Sequence, residues 1–259
     1  MTYASAKAQG LSQLNTRISP SVRILLIQVR DFDDPIRLQE INCIGQCLGV
    51  PPAQIKVFDL TSCDVLPLAT LNGSDVVIIG GSGNYSVAQG GAWWEPAVHT
   101  MQLLREYDKP TFGSCWGFQA LARAFGGTVI TDNSRAEVGT VTVSLTEHAK
   151  EDPIFKDAPD TFQVQAGHQD VVERLPAGAI CMASNDRTYH QAMKFEASPF
   201  YGTQFHPELT RTALLERIAA YPQYVEQIAG MSLDEFAQHC VETPEAGDLL
   251  RRFVQHYTP

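Results

Sequence analysis

The sequence predicts an α/β protein. Its core is a doubly wound, mainly parallel central sheet with helices on both faces, extended by a few mixed or antiparallel strands and closed by a helical C-terminal tail. Three observations carry this expectation. From Arg23 to Gly127, apolar runs of strand length alternate with segments of helical periodicity, the alternation that gives parallel sheet. From Thr128 to Gln204, short strand-like runs follow one another with no long helix between them. From Arg211 onward the pattern is helical again.

Taken in order, residues 23–30 read Arg-Ile-Leu-Leu-Ile-Gln-Val-Arg, a continuous apolar run suited to a strand buried on both faces. Pro35–Leu48 sets Ile36, Ile41, Ile44 and Leu48 at helical spacing. Ile55–Leu60 is a second strand, and Asp75–Ile79 a third that runs into Gly80-Gly81-Ser82-Gly83. Ala92–Tyr107 carries Trp94, Ala97, Met101 and Leu104 on one helical face. Pro110–Ser114 is a fourth strand, and Trp116–Phe125 a helix closed by Gly126-Gly127. Right-handed crossovers bring the loops after such strands to one rim, where sites form. Val138–Leu145, Phe162–Val164, Ala179–Ala183, Gln191–Phe195 and Tyr201–Phe205 are expected as short strands that extend the same domain. In the tail, Ser232–Glu235 has the form of a capping box, and Thr243-Pro244 that of an N-cap with proline at the first helical position. Ala246, Leu249, Leu250, Phe253 and Tyr257 make one apolar stripe. The expected organisation is a flexible leader over residues 1–22, one domain over 23–210, and a helical extension over 211–259 packed on that domain.

Composition narrows the function. Hydrophobic residues at 44% and charged residues at 19% exclude wholesale disorder. A net charge of −10 repels phosphate backbones and anionic lipid, so neither nucleic acid nor a membrane is expected as partner. No apolar run approaches the ~18 residues of a spanning helix. The cysteines, at 43, 47, 63, 115, 181 and 240, are scattered and form no C-x-x-C pair, unlike a disulfide scaffold or a zinc ribbon. Cys43 and Cys47 read as small buried residues of a helix. The first 22 residues lack the apolar core of a signal peptide, and a cytoplasmic location is expected.

One short stretch carries the chemistry. Gly113-Ser114-Cys115-Trp116-Gly117 is G-x-C-x-G between a strand and a helix. Flanking glycines allow a sharp turn with the central side chain exposed, and the helix dipole there favours a thiolate. Cys115 is therefore the expected nucleophile. A thiolate needs a base, and the base an orienting group. Tyr201–Glu208 ends a predicted strand with His206-Pro207-Glu208: His206 would move the proton, Glu208 would hold its ring, and Pro207 would stiffen the turn. Gly81–Ser86 lacks the last glycine of a dinucleotide fingerprint, and no Gly-Lys pair offers a phosphate-binding loop. A cysteine version of an α/β-hydrolase would instead need an acid between nucleophile and histidine, a place Asp170 could fill. The glycine-bearing loop Ser82–Gly91 is expected to border the mouth of the Cys115 pocket.

Gly113–Gln119 together with Gln204–Glu208 resembles the signature pair of the class I glutamine amidotransferases, which use a Cys–His–Glu triad. Further motifs follow in the family's order: Gly80-Gly81-Ser82, with serine where the family usually has proline; Glu137-Val138-Gly139; and Gly167-His168-Gln169-Asp170. The chain is most similar to the stand-alone, GMP-synthase-like members and the γ-glutamyl peptidases. The resemblance implies a hydrolase that cleaves the γ-glutamyl amide of glutamine through a Cys115 thioester, with no cofactor and no metal. It implies Gly81 and Trp116 as oxyanion donors, and Gln119, Gly167, His168 and Gln169 as contacts of the glutamyl α-amino and α-carboxylate groups. Glu137 would support the cysteine turn. An ammonia-accepting synthetase is the implied partner, with a homodimer as the other assembly. The alternatives are a γ-glutamyl peptidase acting on conjugates and a catalytically silent binding protein of the same fold.

Overall fold

A computed structural model of the protein describes residues 17–62, 65–221 and 225–259. The N-terminal half alternates as expected: β1 (Ile24–Gln28), α1 (Ile36–Leu48), β2 (Ile55–Asp59), α2 (Leu68–Asn72), β3 (Val76–Ile79), α3 (Trp94–Glu106), β4 (Thr111–Ser114) and α4 (Trp116–Ala124). There follow β5 (Thr128–Thr131), β6 (Glu137–Leu145), β7 (Thr161–His168), β8 (Asp170–Arg174), β9 (Ala179–Ser184), β10 (Ala192–Phe195) and β11 (Phe200–Thr203). The tail carries α5 (Arg211–Ala220), α6 (Leu233–His239) and α7 (Pro244–Tyr257). Among the described residues, no helix is long and apolar enough to cross a membrane.

The main sheet has the order β2-β1-β3-β4-β11-β10-β9-β6-β7. Strands β2, β1, β3, β4 and β11 are parallel, in doubly wound order, and the rest of the sheet continues antiparallel. Every residue of β1, β3, β4 and β11 is buried, as strands covered on both faces must be. On one face, α1 and α7 pack against Ile24, Leu26, Ile78 and Phe112. On the other, α3 and α4 cover Leu25, Ile27, Val77 and Ile79. The stripe on α7 is the face that is buried: Phe253 meets Phe112 at 5.4 Å and Tyr201 at 5.7 Å between ring centroids. Beyond α1 lies a smaller cluster of Leu214, Ile218, Val225 and Phe236 with Cys43.

The structure departs from the sequence reading in several places. Strand β7 extends to His168, well past Val164, because it pairs with β6 along its whole length. Strands β5 and β8 form a separate antiparallel ribbon that the pattern did not suggest. The boundary of the leader moves. Ile18 and Val22 are buried against the core, and Gln54 Nε2 donates to the carbonyls of Ser19 and Val22. Two apolar side chains with a ready hydrophobic edge do not stay in water. Residues 1–16 of that leader, and Cys63, lie outside the described residues.

Candidate active site

The site grows from one backbone turn. Strand β4 ends at Ser114 and α4 begins at Trp116, leaving Cys115 between them at φ 50°, ψ −96°. A non-glycine residue at positive φ costs about 1–3 kcal/mol, and such strain collects at functional turns. The flanking glycines are obligatory: a Cβ on Gly113 would meet the Gly117 carbonyl carbon at 2.5 Å, and one on Gly117 would meet the Ile79 carbonyl oxygen at 2.5 Å. Cys115 N–H donates to the Thr203 carbonyl at 2.8 Å, tying the turn to β11. The thiol stands at the start of α4, where the backbone N–H groups have no intrahelical acceptor. Its near neighbours are Gln204 Nε2 at 3.7 Å and the Gly167 carbonyl at 3.8 Å.

His206 and Glu208 leave the same rim just after β11. His206 N–H donates to the Gln165 carbonyl at 2.8 Å, which fixes its backbone to β7. Its Nδ1 lies 2.8 Å from Glu208 Oε1, so the other ring nitrogen is left for Cys115. Glu208 Oε2 accepts from Ser114 Oγ at 2.9 Å, and Arg217 Nη1 stands 3.4 Å from Oε1 and 3.2 Å from His206 Nδ1. All these side chains are buried. Burial pushes the Glu208 carboxyl upward, but His206 and Arg217 outweigh it and hold the group down to about 2. Burial likewise pulls the His206 imidazolium down, and the charges of Glu208 and Cys115 outweigh that too, raising it to about 9. The arrangement is an ionised carboxylate that steadies an imidazolium beside Cys115 Sγ.

A cleft of about 630 Å³ opens over the thiol, lined by Ser82, Tyr85, Cys115, Trp116, Gln119 and Gly167–Asp170 among others. The Ser82–Gly91 loop forms one wall of it. The loop is strapped down: Tyr85 OH and Asn84 Nδ2 donate to Asp31, while Ser86 Oγ at 2.7 Å and Ala88 N–H at 3.0 Å donate to Asp170 Oδ2. Asp170 Oδ1 also accepts from Thr131 Oγ1 at 2.6 Å. Asp170 is thus spent on the loop and the β5–β8 ribbon, and the α/β-hydrolase reading loses its acid.

The remaining expected residues divide. The Gln119 amide donates to the Asp170 carbonyl at 2.9 Å and to Gln204 Oε1 at 3.2 Å, and its Oε1 accepts nothing among the described residues. Gly167 and Gln169 line the cleft. His168 does too, but its ring is occupied: Nε2 lies 3.2 Å from Glu137 Oε2 and Nδ1 3.1 Å from the Asp170 carbonyl. Its side chain holds the β7–β8 corner together and has no nitrogen free for a ligand, against the expectation of substrate contact. Glu137 supports this corner and β10, through Asn185 and Gln191, rather than the cysteine turn. Burial works to raise the Glu137 carboxyl, and the His168 hydrogen bond leads the groups that lower it instead. Gly81 also departs from the expectation: its N–H donates to Glu40 Oε1 at 3.0 Å and is engaged there. Trp116 is the first residue of α4, so its N–H is among those with no intrahelical acceptor. Ser114 and Arg217 were not anticipated. Arg217 had one signal, a lone charge between Leu214 and Ile218 on the buried face of α5.

Comparison with known proteins bears on the same residues. Residues 38–219 match the family model described as Glutamine amidotransferase class-I. The chain belongs to the class I glutamine amidotransferases. Relatives include one of the subunits of the glutamine-hydrolysing GMP synthase of Methanocaldococcus jannaschii, 34% identical over 126 residues, which cover 49% of this chain and 65% of that protein. The glutamine-hydrolysing GMP synthase of Thermosipho africanus is 30% identical over 161 residues, 62% of this chain and 29% of that one. The chain therefore spans less than two thirds of the length of either relative. Among solved structures, a glutamine amidotransferase of Thermotoga maritima superposes with a TM-score of 0.69 over 91% of this chain and 98% of its own, at 18% identity. One from Methylobacillus flagellatus gives 0.66 over 92% and 96%, also at 18% identity. These likenesses establish the class I amidotransferase fold, with the Cys115 turn and the His206–Glu208 pair lying inside the matched residues.

Proposed function

We propose that this class I glutamine amidotransferase hydrolyses the γ-amide of glutamine through a thioester on Cys115, releasing glutamate and ammonia. The observation that carries the reading is the strained Cys115 turn at the start of α4, set in a cleft beside a buried, charge-assisted His206–Glu208 pair. With its proton already on His206, the Cys115 thiolate bonds to the γ-carbon and the carbonyl electron pair moves to oxygen. As the pair returns, the C–N bond breaks and His206 gives its proton to the departing nitrogen. A water then loses a proton to His206 and attacks the thioester, and Cys115 leaves as thiolate. Glu208 holds the ring in register throughout, with Ser114 and Arg217 holding Glu208. Gln119 Oε1 and the Gly167 carbonyl are acceptors suited to the substrate α-ammonium, and the Gln169 amide to its α-carboxylate.

The unit that does this is residues 23–210 together with α5, whose Arg217 reaches Glu208, and α7 packs on the same core. Kinship with subunits of glutamine-hydrolysing GMP synthases supports a synthetase as acceptor of the ammonia. A larger leaving amine is favoured by one feature: past His206 the cleft continues into a recess lined by Leu209, Leu214, Ile218 and Tyr221. The test is glutamate release by the purified protein from L-glutamine and, in parallel, from γ-glutamyl amides of apolar amines. Intact-mass spectrometry would follow the acyl-enzyme. Glutamate release that survives Cys115→Ala would refute the mechanism; preference for the bulkier amides would move the assignment to the second reading.

A further inference from the structure

The turn after β3 does not use its hydrogen bonds as the family pattern implies. Gly81 N–H is engaged by Glu40 Oε1, and that carboxylate, wholly buried on α1, is fixed from other sides as well. Gln28 Nε2 donates to its Oε2 at 3.0 Å and Arg30 Nη2 to its Oε1 at 3.2 Å, while Arg30 is paired with Asp34 at 3.1 Å. The turn is also wedged. A Cβ on Gly80 would meet Glu40 Oε1 at 2.7 Å, and one on Gly81 would meet His206 Cε1 at 2.8 Å. Rotating the Gly81 peptide toward the thiol would take a donor from a buried charge, which is costly.

The next N–H along the chain is differently placed. Ser82 N–H has no acceptor among the described residues, and Ser82 lines the cleft that holds Cys115. Its Oγ accepts from Asn84 N–H at 3.3 Å and Tyr85 N–H at 3.2 Å, so the residue is held in place without use of its own N–H. We infer that the oxyanion of the tetrahedral adduct is held by the backbone N–H groups of Ser82 and Trp116. Gly81 acts as the side-chain-free spacer beneath His206, strutted to Glu40. The serine that departs from the family's usual proline thus supplies a donor that proline lacks. This assignment rests on the Cys115 thioester reading: when Sγ bonds to the γ-carbon, the negative charge that collects on oxygen is what the two N–H groups meet.

Ser82→Pro removes the N–H and installs the family's usual residue. Loss of one oxyanion donor lowers kcat on the order of 10²–10³-fold, and Ser82→Ala, which keeps the N–H, is expected to stay at least about tenfold above Ser82→Pro. Alkylation of Cys115 by iodoacetamide, a displacement that forms no oxyanion, is expected to persist in Ser82→Pro. Equal kcat for the proline and alanine variants overturns the inference and returns the role to Gly81. Should Ser82→Pro fail to fold, nonsense suppression can place lactic acid at position 82, which is alanine with its N–H replaced by oxygen. Comparison with Ser82→Ala is then read by the same criterion. Absence of glutamine turnover in the wild-type chain overturns the thioester reading and this assignment with it, whereas wild-type turnover with equal variants overturns this assignment alone.

Discussion

Exchanging Glu208 for glutamine tests the charge logic of the site without changing its shape. In the wild type, the Glu208 charge is foremost among the groups that raise the His206 imidazolium to about 9, against the downward pull of burial. Without that charge, Cys115 alone is left to oppose burial, and Arg217 Nη1, 3.2 Å from Nδ1, becomes an unbalanced positive neighbour. The imidazolium should then fall to or below its ordinary 6.5. That is a drop of more than about two pKa units, or roughly 3 kcal/mol of differential stabilisation. The expected consequence is a kcat/KM profile for glutamine whose basic limb moves from near 9 to 6.5 or lower. At pH 8 the variant should lose on the order of 30-fold through protonation alone, and less at pH 6. The assay is glutamate release under kcat/KM conditions across pH 5 to 10, with near-ultraviolet circular dichroism to confirm packing. A basic limb that does not move would refute the reasoning, whatever the size of the rate loss.

Other expectations follow from the same geometry. Cys115→Gly should abolish turnover to below about a thousandth of wild type. It should also raise the urea midpoint, since glycine relieves a strain of about 1–3 kcal/mol at φ 50°. Asp170→Ala should raise KM far more than it lowers kcat and open the 82–91 loop to limited proteolysis, because that carboxylate accepts from Ser86, Ala88 and Thr131. Wild-type protease resistance would show that the loop is held elsewhere. Phe253→Ala should cost about 3–5 kcal/mol in denaturant unfolding, as its ring fills the space between Phe112, Tyr201 and Tyr257.

What could be read from the sequence was local. The G-x-C-x-G turn and the His-Pro-Glu ending each compress a strand, a turn and a side chain into a few adjacent residues, so their roles survive without knowledge of the fold. What could not be read depends on contacts between distant segments. Glu40 looks like one more solvated helix charge until α1 lies against β1 and β3, where Gln28 and Arg30 meet it. Arg217 and Ser114 have no local signature of their contact with Glu208, since they arrive from α5 and β4. His168 sits in a motif that resembles a substrate loop, but its partner Glu137 lies 31 positions earlier in the chain, across the β6–β7 ladder. The β5–β8 ribbon was missed because neither strand alternates cleanly and each has an exposed end.

The bend at residue 115 belongs to its surroundings. Gly113 and Gly117 admit no side chain where the backbone closes on its neighbours, and the Thr203 carbonyl captures the amide between them. Position 115 therefore behaves as a socket whose bearing is set before its occupant is chosen. Oxygen or selenium in place of sulfur would enter along the same line, over the same helix start and beside the same imidazole. This makes the protein suited to ranking nucleophiles by their intrinsic reactivity, with orientation held constant by the backbone.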